Sequence, residues 1–510
     1  MAKKLIVVLL IAIAAFASWP TQRAAVRVGS KQFTESVILG EMLRLLSEEE
    51  ATPAQHLREL GGTRIVYEAL RHGEIDAYVE HTGTLTKEIF SDRKISSDDD
   101  MRTELAKGGI VMSQSLGFNN TYAIGMQREQ AERLGISKVS HLARHPSLRF
   151  GFSNEFMGRS DGWPGLQSAY GLATEQVTGL DHDIAYRQLQ LGVIDVIDAY
   201  STEARIAAFD IAVLEDDRSY FPRYEAVILY REELALKHPA VVVAMKRLEN
   251  HLPADKMIAV NGQVELEGDT ESAAAASFLK QSLGVSSTVV DSTTRDRITQ
   301  RTLEHLELVR RSLLPAILFG VPLGVFAARR RRLGQIVLAT TGIIQTIPAF
   351  ALLVLLMPLA VWSGLESVGV GSVTAIVALF LYSLLPIVRG THSGLTGIDP
   401  ALLESAEVLG LSNWYRLIHI KLPLASRGIL AGIKTAAVIN VGFATLGALI
   451  GAGGYGQPIL SGIRLASTEL MLEGAIPAAL LAIAVQYAFE LLELAVVPKG
   501  LRLRPARQPS

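Results

Sequence analysis

Glycine-rich stretches are the parts of this chain that come closest to a site for chemistry. The string GAGGYG, residues 451–456, matches the G-x-G-x-x-G spacing of dinucleotide-binding loops. Such a loop follows a soluble strand, whereas this string lies at the predicted outer end of an apolar helix, so it predicts close packing or a gating bend. The string GILAGIKT departs from the G-x-x-x-x-G-K-[ST] spacing of an ATP-binding loop. Since no nucleophile–base pair or metal-ligand cluster stands out either, we expect the chain itself to catalyse no covalent reaction.

A polar stretch between two apolar runs, LLESAEVLGLSNWYRLIHIKLPLA, predicts a rigid protrusion. Asp399 is a favourable helix cap, and Pro400 suits the first turn of the helix that follows. Gly410 can adopt the left-handed conformation that ends a helix. Ser412 can cap a second short helix, NWYRLIHI, which we expect to stop before Pro423. The prediction is therefore two short helices joined by a glycine bend.

Five long apolar segments must position this protrusion. They are Leu306–Ala328, Ile336–Val361, Val373–Val388, Ile429–Ile450 and Ala475–Val497. Each approaches or exceeds the roughly 20 residues that a helix needs to cross the hydrocarbon, the third only with its flanks. We therefore predict an all-α membrane domain of about five helices.

Basic residues indicate how these helices are oriented. The run Arg329–Arg332 and the C-terminal string KGLRLRPAR favour the cytoplasmic side of the membrane. Five helices that start outside satisfy both, with Arg310 and Arg311 as a mild exception near the outer end of the first helix. This topology places the protrusion in the cytoplasm and the residues before the first helix outside.

The N-terminus supports the same orientation, because residues 1–24 carry a secretory signal pattern. Two lysines precede an apolar run, Leu5–Ala17, which is short for a spanning helix. Cleavage after Ala17 and retention as an uncleaved anchor both stay open. In either case we expect the residues that follow to be exported.

Residues 25–285 alternate strand-like runs with helical patterns, which predicts an α/β fold. A region of that length predicts two lobes with a cleft between them, and such clefts commonly bind ligands. The net charge of −2 gives no reason to expect nucleic acid as a partner, and the absence of cysteine excludes disulfides. Residues 286–304 are rich in Ser, Thr and charge, so we expect a tether between this region and the membrane domain.

Six strings in the exported half carry a resemblance to a known family. In order, they are GSKQFTESVILGEML, GGTRIVYEALRHGEIDAYVEHTGT, GFNNTYAIGM, EFMGRSDGWPGLQSAYGL, DVIDAYSTEARI and VLEDDRSYFPRYEAVILY. Together they resemble the substrate-binding proteins of the glycine betaine, choline and carnitine ABC importers, the OpuC/ProX-like group. The resemblance implies a two-lobed periplasmic-binding-protein-like domain (type II) that closes over a compatible solute.

The resemblance also implies which residues hold the ligand. An aromatic box surrounds the quaternary ammonium, since a group without N–H donors is best recognised by the faces of aromatic rings. Basic and hydroxyl groups hold the carboxylate through charge-assisted hydrogen bonds. By motif, the box is His81, Tyr122, Tyr200 and Tyr224, and the carboxylate clamp is Lys31, Thr84 and Arg159.

His81 departs from the family pattern. The family usually has a tyrosine in EYTGT, whereas this chain has EHTGT. A neutral imidazole still offers a ring face, but an imidazolium repels a quaternary cation. Other cargoes therefore stay open, such as a histidine-derived betaine or an amino acid. A ligand-gated receptor or channel is a second alternative, from another class of protein.

The membrane half resembles the permeases of the same importers, through strings such as TIPAFALLVLLMPLA and LYSLLPIVRG. Its cytoplasmic loop, residues 391–425, matches the EAA signature E-A-A-x3-G-x9-I-x-L-P. The matching residues are Glu404, Ala406, Gly410, Ile420, Leu422 and Pro423, with Ser405 as the one departure. In permeases of this kind the loop docks on a cytoplasmic ATPase.

The resemblance implies the remaining partners and boundaries. A separate ATPase subunit uses ATP, the chain itself holds no cofactor, and two copies pair through their permease domains in the inner membrane. The permease domain is residues 305–498, and the cytoplasmic tail is residues 499–510. The whole is expected to import osmoprotective quaternary-ammonium solutes, with its binding domain on the extracytoplasmic side.

Overall fold

The computed structural model describes residues 26–93, 95, 97–174, 176–285, 293–362, 372–464 and 467–498. Their contacts divide them into two compact units, one of residues 26–285 and one that begins at residue 293. Three predicted segments lie outside the described residues: the leader 1–24, the first part of the tether 286–292, and the tail 499–510.

Two five-stranded sheets form the framework of the first unit. Their strands are β1 (Val26–Gly29), β2 (Ala54–Leu57), β3 (Ala77–His81), β4 (Ile110–Asn119), β5 (Tyr122–Gln127), β6 (Phe150–Ser153), β7 (Val177–Leu180), β8 (Val196–Tyr200), β9 (Ile211–Leu214) and β10 (Glu225–Arg231). One sheet has the order β2-β1-β3-β10-β4, and the other has the order β7-β6-β8-β5-β9. In each sheet the first three strands run parallel, and the fourth runs antiparallel to both neighbours.

Helices cover both sheets. They are α1 (Thr34–Glu49), α2 (Thr63–Arg71), α3 (Thr82–Thr84), α4 (Asp98–Ala106), α5 (Arg128–Leu134), α6 (Asn154–Gly158), α7 (Trp163–Tyr170), α8 (His182–Gln190), α9 (Arg205–Ala208), α10 (Glu232–Lys237), α11 (Pro239–Lys246), α12 (Ala254–Glu265) and α13 (Glu271–Leu283). Most of α1 is buried, because it packs against β1, β3, α11 and α13. Its residues Ile38, Leu39 and Met42 belong to the core of the first lobe.

The chain passes between the two sheets twice. It leaves the first sheet after β4 through residues 120–121, and it returns from β9 to β10 through residues 215–224. Each sheet with its helices is therefore one lobe, and the crossing segments lie between the lobes. This architecture confirms the predicted two-lobed α/β fold.

Helices alone make up the second unit, as far as the structure describes it. They are α14 (Thr294–Arg329), α15 (Arg331–Thr346), α16 (Ala349–Trp362), α17 (Ser372–Thr396), α18 (Pro400–Val408), α19 (Asn413–Arg416), α20 (Leu422–Ala444), α21 (Gly456–Arg464) and α22 (Thr468–Val496). Four helical stretches are long and apolar enough to cross a membrane, and a bent helix pair raises the number to five. The predicted all-α domain of about five membrane helices is confirmed.

The second apolar segment is the bent pair rather than one straight span. Its two helices, α15 and α16, meet at an angle of 97°. Ile347 between them is extended, with φ −69° and ψ 125°. The residue before a proline is excluded from the helical region by the proline ring, so Pro348 breaks the helix here. The predicted apolar segment Ile336–Val361 therefore counts as the fifth membrane helix only if the bent pair is one span.

The predicted tether is also partly helical. α14 begins at Thr294, well before residue 305, where the permease was predicted to start. Thr293 and Asp296 form a capping box that satisfies the first free N–H groups of the helix. Arg297 then pairs with Glu473 on α22 at 2.7 Å. These contacts hold residues 294–304 as a rigid extension of the first membrane helix.

The protrusion has the predicted glycine bend. Asp399 caps α18 by accepting a hydrogen bond from Ala401 N at 2.9 Å. Gly410 has φ +72°, in the left-handed region. Ser412 caps α19 by accepting a hydrogen bond from Tyr415 N at 3.3 Å.

The second helix of the protrusion does not stop before Pro423, contrary to the prediction. It continues through a π-helical turn, Leu417–Lys421, directly into α20. Pro423 lies in the first turn of α20, where a missing N–H costs little. The protrusion is therefore joined to a membrane helix without a flexible break.

The GAGGYG string forms a bend, which agrees with its prediction as a packing or bending element. Gly451, Gly453 and Gly454 have φ values of +72°, +78° and +77°. Gly454 N donates a hydrogen bond to Glu304 Oε2 at 3.0 Å, so the bend is attached to α14. Glycine adopts the left-handed backbone conformation at little cost, so the bend explains the glycines of this motif without a bound nucleotide.

Candidate ligand-binding site

The centre of the predicted aromatic box is a pair of tyrosines on neighbouring strands. Tyr122 starts β5, Tyr200 ends β8, and the two residues are directly opposed in the antiparallel register. Their ring centroids are 5.3 Å apart. Opposed residues on one sheet face put their side chains side by side, so the strand pairing itself builds this part of the box.

Tyr224 meets the same cluster from the crossing segment before β10. Its ring stands edge-on to Tyr122 at 5.7 Å. Its hydroxyl donates a hydrogen bond to Asp161 Oδ2 at 2.6 Å. The structure therefore brings together three of the four predicted box residues.

Arg159 lies beside this cluster, but its charge is already matched. Two guanidinium nitrogens donate to the carboxylate of Asp161 at 2.8 and 2.6 Å. The guanidinium carbon is 5.5 Å from the ring centroid of Tyr122. Although burial opposes ionisation, Arg159 holds the pKa of Asp161 below its ordinary value. Arg159, predicted to hold a ligand carboxylate, thus forms a buried ion pair with Asp161 and also faces the ring of Tyr122.

Lys31 and His81 form a second buried group in the first lobe. Lys31 Nζ is 2.5 Å from Glu80 Oε1. The ring of His81 lies between two carboxylates, with Nε2 3.4 Å from Glu35 Oε1 and Nδ1 3.7 Å from Glu80 Oε1. Burial opposes its protonation, but these carboxylates raise the pKa of His81 above its ordinary value. Thr84, at the end of α3, is also buried and follows His81 by three residues in the sequence.

The His81 ring stands apart from the tyrosines. Its aromatic neighbours are Phe33 and Phe118, with ring centroids 6.4 and 6.3 Å away. Two carboxylates thus flank the ring of His81, which favours its protonated form and makes it a poorer wall for a cation than a tyrosine. The structure therefore places His81 in the ionic group with Lys31.

A cavity of about 180 Å³ lies in the first unit. Its lining residues are Gln32, Phe33, Thr34, Glu35, Gly61, Gly62, Asn120, Ser153, Asn154, Glu155, Leu180, Asp181, His182, Asp183, Tyr200, Thr202, Glu203, Asn261 and Glu265. Tyr200 is the member of the predicted site that lines it. The other six predicted residues are not among the lining residues of this cavity.

Two aromatic residues of the cavity were missed from the sequence. Phe33 lies 5.4 Å from Tyr200 between ring centroids, and His182 lies 4.7 Å from Tyr200. Phe33 lies in the string GSKQFTE, two residues after Lys31. His182 starts α8 directly after β7, a position at the carboxyl end of a parallel strand where ligand-binding residues are common.

His182 is held as a cation inside the cleft. Its Nε2 is 2.6 Å from Glu203 Oε1, and its Nδ1 is 3.7 Å from Asp198 Oδ2. Burial opposes the charge, but the two carboxylates raise the pKa of His182 well above its ordinary value. The imidazolium therefore occupies one side of the Tyr200 ring.

Glu35 connects the lobes at the base of the cavity. It accepts hydrogen bonds from Asn120 Nδ2 at 2.8 Å and from Thr202 Oγ1 at 2.5 Å. Asn261 Nδ2 on α12 donates to the same carboxylate at 3.3 Å. A carboxylate accepts several such bonds favourably, so Glu35 is a buried anchor for one crossing segment at Asn120 and for Thr202 of the second lobe.

Comparisons with known proteins cover both units. Residues 24–281 match the family described as the substrate binding domain of the ABC-type glycine betaine transport system. Residues 320–499 match the family described as the binding-protein-dependent transport system inner membrane component.

Individual relatives match one unit or both. A glycine betaine/carnitine/choline transport system permease protein of Bacillus subtilis, OpuCB, is 39% identical over 40% of this chain and 89% of its own length. An ergothioneine transport permease/ergothioneine binding protein of Helicobacter pylori, EgtU, is 30% identical over 54% of this chain and 51% of its own length.

A solved structure of a glycine betaine/carnitine/choline ABC transporter is 29% identical, with 50% of this chain and 98% of that chain covered and a TM-score of 0.44.

Proposed function

This chain belongs to the ABC-type glycine betaine transport family, as a binding domain fused to an inner-membrane permease, and we propose that its cargo is a quaternary-ammonium compatible solute. Such a fused protein captures its solute outside the membrane and passes it to the attached permease. Named residues of the binding domain hold this cargo, a separate ATPase supplies the energy, and two copies of the chain pair.

One observation carries the cargo assignment: Tyr200 and Phe33 form an aromatic wall of the cavity, with Tyr122 directly behind. A trimethylammonium group has no N–H, so ring faces attract it best, with roughly 0.5–2 kcal/mol from each well-placed ring. The carboxyl groups around the cavity add attraction for a cation. We therefore assign the quaternary group to the wall of Tyr200 and Phe33, on the side of the Tyr200 ring away from the His182 imidazolium.

The cationic residues predicted to bind the carboxylate of a betaine already form ion pairs within the chain. Arg159 is bound to Asp161 and Lys31 to Glu80. A ligand carboxylate would exchange with one of these carboxylates, and Thr84 would supply its hydroxyl. This exchange costs more for a zwitterion than for choline, which lacks a carboxylate. The arrangement therefore favours cationic over zwitterionic solutes.

The partner that supplies energy is a separate ATPase subunit, which uses ATP. The protrusion supports this, because the side chains of Val408, Leu409 and Trp414 are 88%, 76% and 68% exposed around the Gly410 bend. Exposed apolar groups on a rigid bend suit a protein interface. Glu404 lies on the same surface, while Ala406 is buried below it. The partly buried Ile420 and Leu422 join this surface to α20.

Two copies would complete the permease. None of the residues in the most apolar stretch of α22 is buried within the chain, so part of the helix surface is left for lipid or another copy. Native mass spectrometry of the chain in detergent should show a dimer. Residues 25–285 would bind the solute, residues 286–293 would connect, and the permease would include the helical extension 294–304.

Calorimetry on the full-length chain in nanodiscs tests the cargo. We expect glycine betaine, choline or carnitine to bind, and Tyr200→Ala to weaken that binding by ~2–30-fold, the loss of one cation–π contact. Tyr200→Phe keeps the ring face and serves as the matched control. Absence of binding for all three solutes would refute the assignment.

A further inference from the structure

Two neighbouring side chains of α14 hold the GAGGYG bend of the permease. Gly454 N donates a hydrogen bond to Glu304 Oε2 at 3.0 Å, and Tyr455 N donates one to His305 Nδ1 at 3.4 Å. The ring centroids of His305 and Tyr455 are 4.7 Å apart. A Cβ added at Gly454 would come within 3.0 Å of His305 Nδ1, so the close approach of the bend to α14 requires glycine there.

His305 also joins the bend to α20. Its Nε2 lies 2.9 Å from the carbonyl oxygen of Val441, and the residue is fully buried. In a continuous α-helix this carbonyl would accept from Thr445 N. Thr445 N instead donates to the carbonyl of Gly442, and the chain continues as a 3₁₀ turn over Thr445–Ile450. His305 therefore supplies a donor to a carbonyl that Thr445 does not reach.

These contacts determine the protonation state of His305. A carbonyl oxygen only accepts and an amide N–H only donates, so Nε2 carries the proton and Nδ1 is bare. A second proton, on Nδ1, would point a donor at the N–H of Tyr455. The group formed by Glu304 and His305 with Val441, Gly454 and Tyr455, here called the outer latch, therefore requires a neutral imidazole.

The carboxylates near the outer latch are already paired. Glu304 accepts from Arg301 at 2.8 Å. Glu473 on α22 accepts from two nitrogens of Arg297 at 2.9 and 2.7 Å. The other segments of this end carry no charged residue in 372–380 of α17 or in 441–457. Among the described residues, protonation of His305 would thus gain no free counter-charge and would lose the bond with the bend.

The outer latch lies at the far end of the helix that carries the protrusion. α20 begins directly after the π-helical turn of the protrusion, and Val441 lies in its last turn. Thr302, one turn before His305 on α14, accepts a hydrogen bond from the Tyr455 hydroxyl at 2.7 Å. It belongs to the helical extension 294–304, which leads from the extracytoplasmic binding unit. One helix thus connects the protrusion to the latch, and the latch connects that helix to the tether.

We infer that Glu304 and His305 fix the outer end of α20 to the first membrane helix, and that external acid releases this latch by protonating His305. Only the open form accepts the second proton, so a fall in pH shifts the equilibrium toward the open form. The device makes the coupling of α20 to the outer end of the permease depend on the pH outside the membrane. It concerns the permease and does not depend on which solute is carried.

Hydrogen exchange of the full-length chain in nanodiscs tests the latch without any cargo. The probe is the peptide that contains the amides of Gly454 and Tyr455, with its rate divided by the intrinsic rate at each pH. A histidine in water is half protonated at about pH 6.5, so the opening equilibrium should rise by about 10-fold between about pH 7.5 and 5.5. His305→Gln still offers a donor and an acceptor but takes up no proton, so its corrected rate should stay flat.

Two further variants exclude other titrating groups. Glu304→Gln keeps an acceptor for Gly454 N and leaves His305 in place, so the rise of about 10-fold should remain. His251→Gln removes an exposed histidine of the binding unit and should also leave the rise unchanged. A flat wild-type chain, an equal rise in His305→Gln, or loss of the rise in Glu304→Gln would each overturn the inference. Should His305→Gln not fold, His305→Asn takes its place, because it also cannot be protonated.

Uptake by cells that also contain the ATPase tests whether the latch acts in transport. With choline as the probe, wild-type uptake should fall by up to about 10-fold between external pH of about 7.5 and 5.5, and uptake by His305→Gln should fall less. His81 and His182 are present in both chains, so their titration cancels in this comparison. Equal falls in both chains would overturn the role in transport. If choline is not taken up at any pH, the cargo assignment fails, and hydrogen exchange still decides the latch.

Discussion

The ammonium of Lys31 lies 2.5 Å from a carboxylate oxygen of Glu80, and both side chains are buried. Resemblance to binding proteins assigns Lys31 to the carboxylate of a ligand, yet the chain supplies a carboxylate of its own. Arg159 and Asp161 repeat this arrangement in the second lobe. Both cations predicted to hold a ligand carboxylate are therefore neutralised by carboxylates of the chain itself.

Removing one charge of the first pair should destabilise the binding unit. Glu80→Gln leaves Lys31 buried without its counter-charge, which typically costs about 3–5 kcal/mol. For a unit of this size that corresponds to a fall of roughly 6–20 °C in its unfolding temperature, measured by scanning fluorimetry of the full chain. Glu68→Gln, which breaks an exposed pair with Arg71, is the control and should shift the temperature very little. Equal shifts in both variants would contradict the assignment of Glu80 as a buried partner.

The same pair predicts acid stability. Burial opposes ionisation, but Lys31 holds the pKa of Glu80 at about 2. A depressed folded-state pKa gives stability that is present above the unfolded pKa and is lost as the pH falls through the folded value. We expect the contribution of this pair to persist at pH 5 and to fade between about pH 4.5 and 2. Thermal scans of wild type and Glu80→Gln should therefore converge in that window.

Alkaline pH should weaken the free binding unit. Burial together with Glu203 raises the pKa of Glu265 to about 8, while Arg205 opposes the rise and Asp183 adds to it. The pKa of His182 is also raised, against its burial, by Glu203 and Asp198. Raised folded-state pKa values give stability that is full below the unfolded pKa and lost as the pH rises through the folded pKa.

Thermal scans check this trend. The unfolding temperature of the ligand-free chain should fall as the pH rises from about 4.5 through about 8, and Glu265→Gln should flatten that fall. A flat stability profile in the wild-type chain would show that these groups titrate alike in folded and unfolded states.

Transport should depend on the bend of the protrusion. Gly410 has φ +72°, and a side chain there costs roughly 1–2 kcal/mol in backbone strain. Gly410→Ala should therefore lower ATPase-dependent uptake in cells while the purified chain keeps its ligand affinity. Gly342→Ala is the matched control, because an added Cβ meets nothing within 4 Å and its φ is ordinary. Uptake that survives Gly410→Pro would count against ATPase docking at this bend and favour a ligand-gated channel.

A polar contact joins three membrane helices. Asn440 on α20 donates to Ser312 Oγ at 3.0 Å and accepts from Ser383 Oγ at 3.0 Å. Asn440→Ala removes both bonds, and at about 0.6 kcal/mol each the permease unit should lose roughly 1 kcal/mol. Thr435→Ala is the control, since that hydroxyl bonds within its own helix. Scanning fluorimetry of the purified chain should rank the two variants in that order.

Local backbone features were predictable because a few neighbouring residues decide them. The Asp399 and Ser412 caps and the left-handed Gly410 follow from residue type, and all three occur. The predicted stop before Pro423 failed because a π-helical turn absorbs the proline, and this depends on packing. Pro348 breaks the second apolar segment even though hydropathy alone continues through it.

The candidate site was likewise predictable only in part. Tyr122 and Tyr200 were selected by motif, and strand pairing brings them together. Phe33 and His182 were missed, since ring contacts between separate elements leave no periodic pattern in the sequence. The seven predicted ligand residues remain predictions, of which Tyr200 lines the cavity.

By itself the sequence determined the family, the two-lobed α/β unit, the membrane helices and the caps and glycine bend of the protrusion, because residue order, apolar length and local caps carry that information. The tertiary structure alone decided which charges are neutralised. Lys31 and Glu80 are 49 positions apart, and Asn261 is 226 positions from Glu35. Electrostatic and hydrogen-bond pairing acts over a few ångströms, so only folding establishes which distant groups meet.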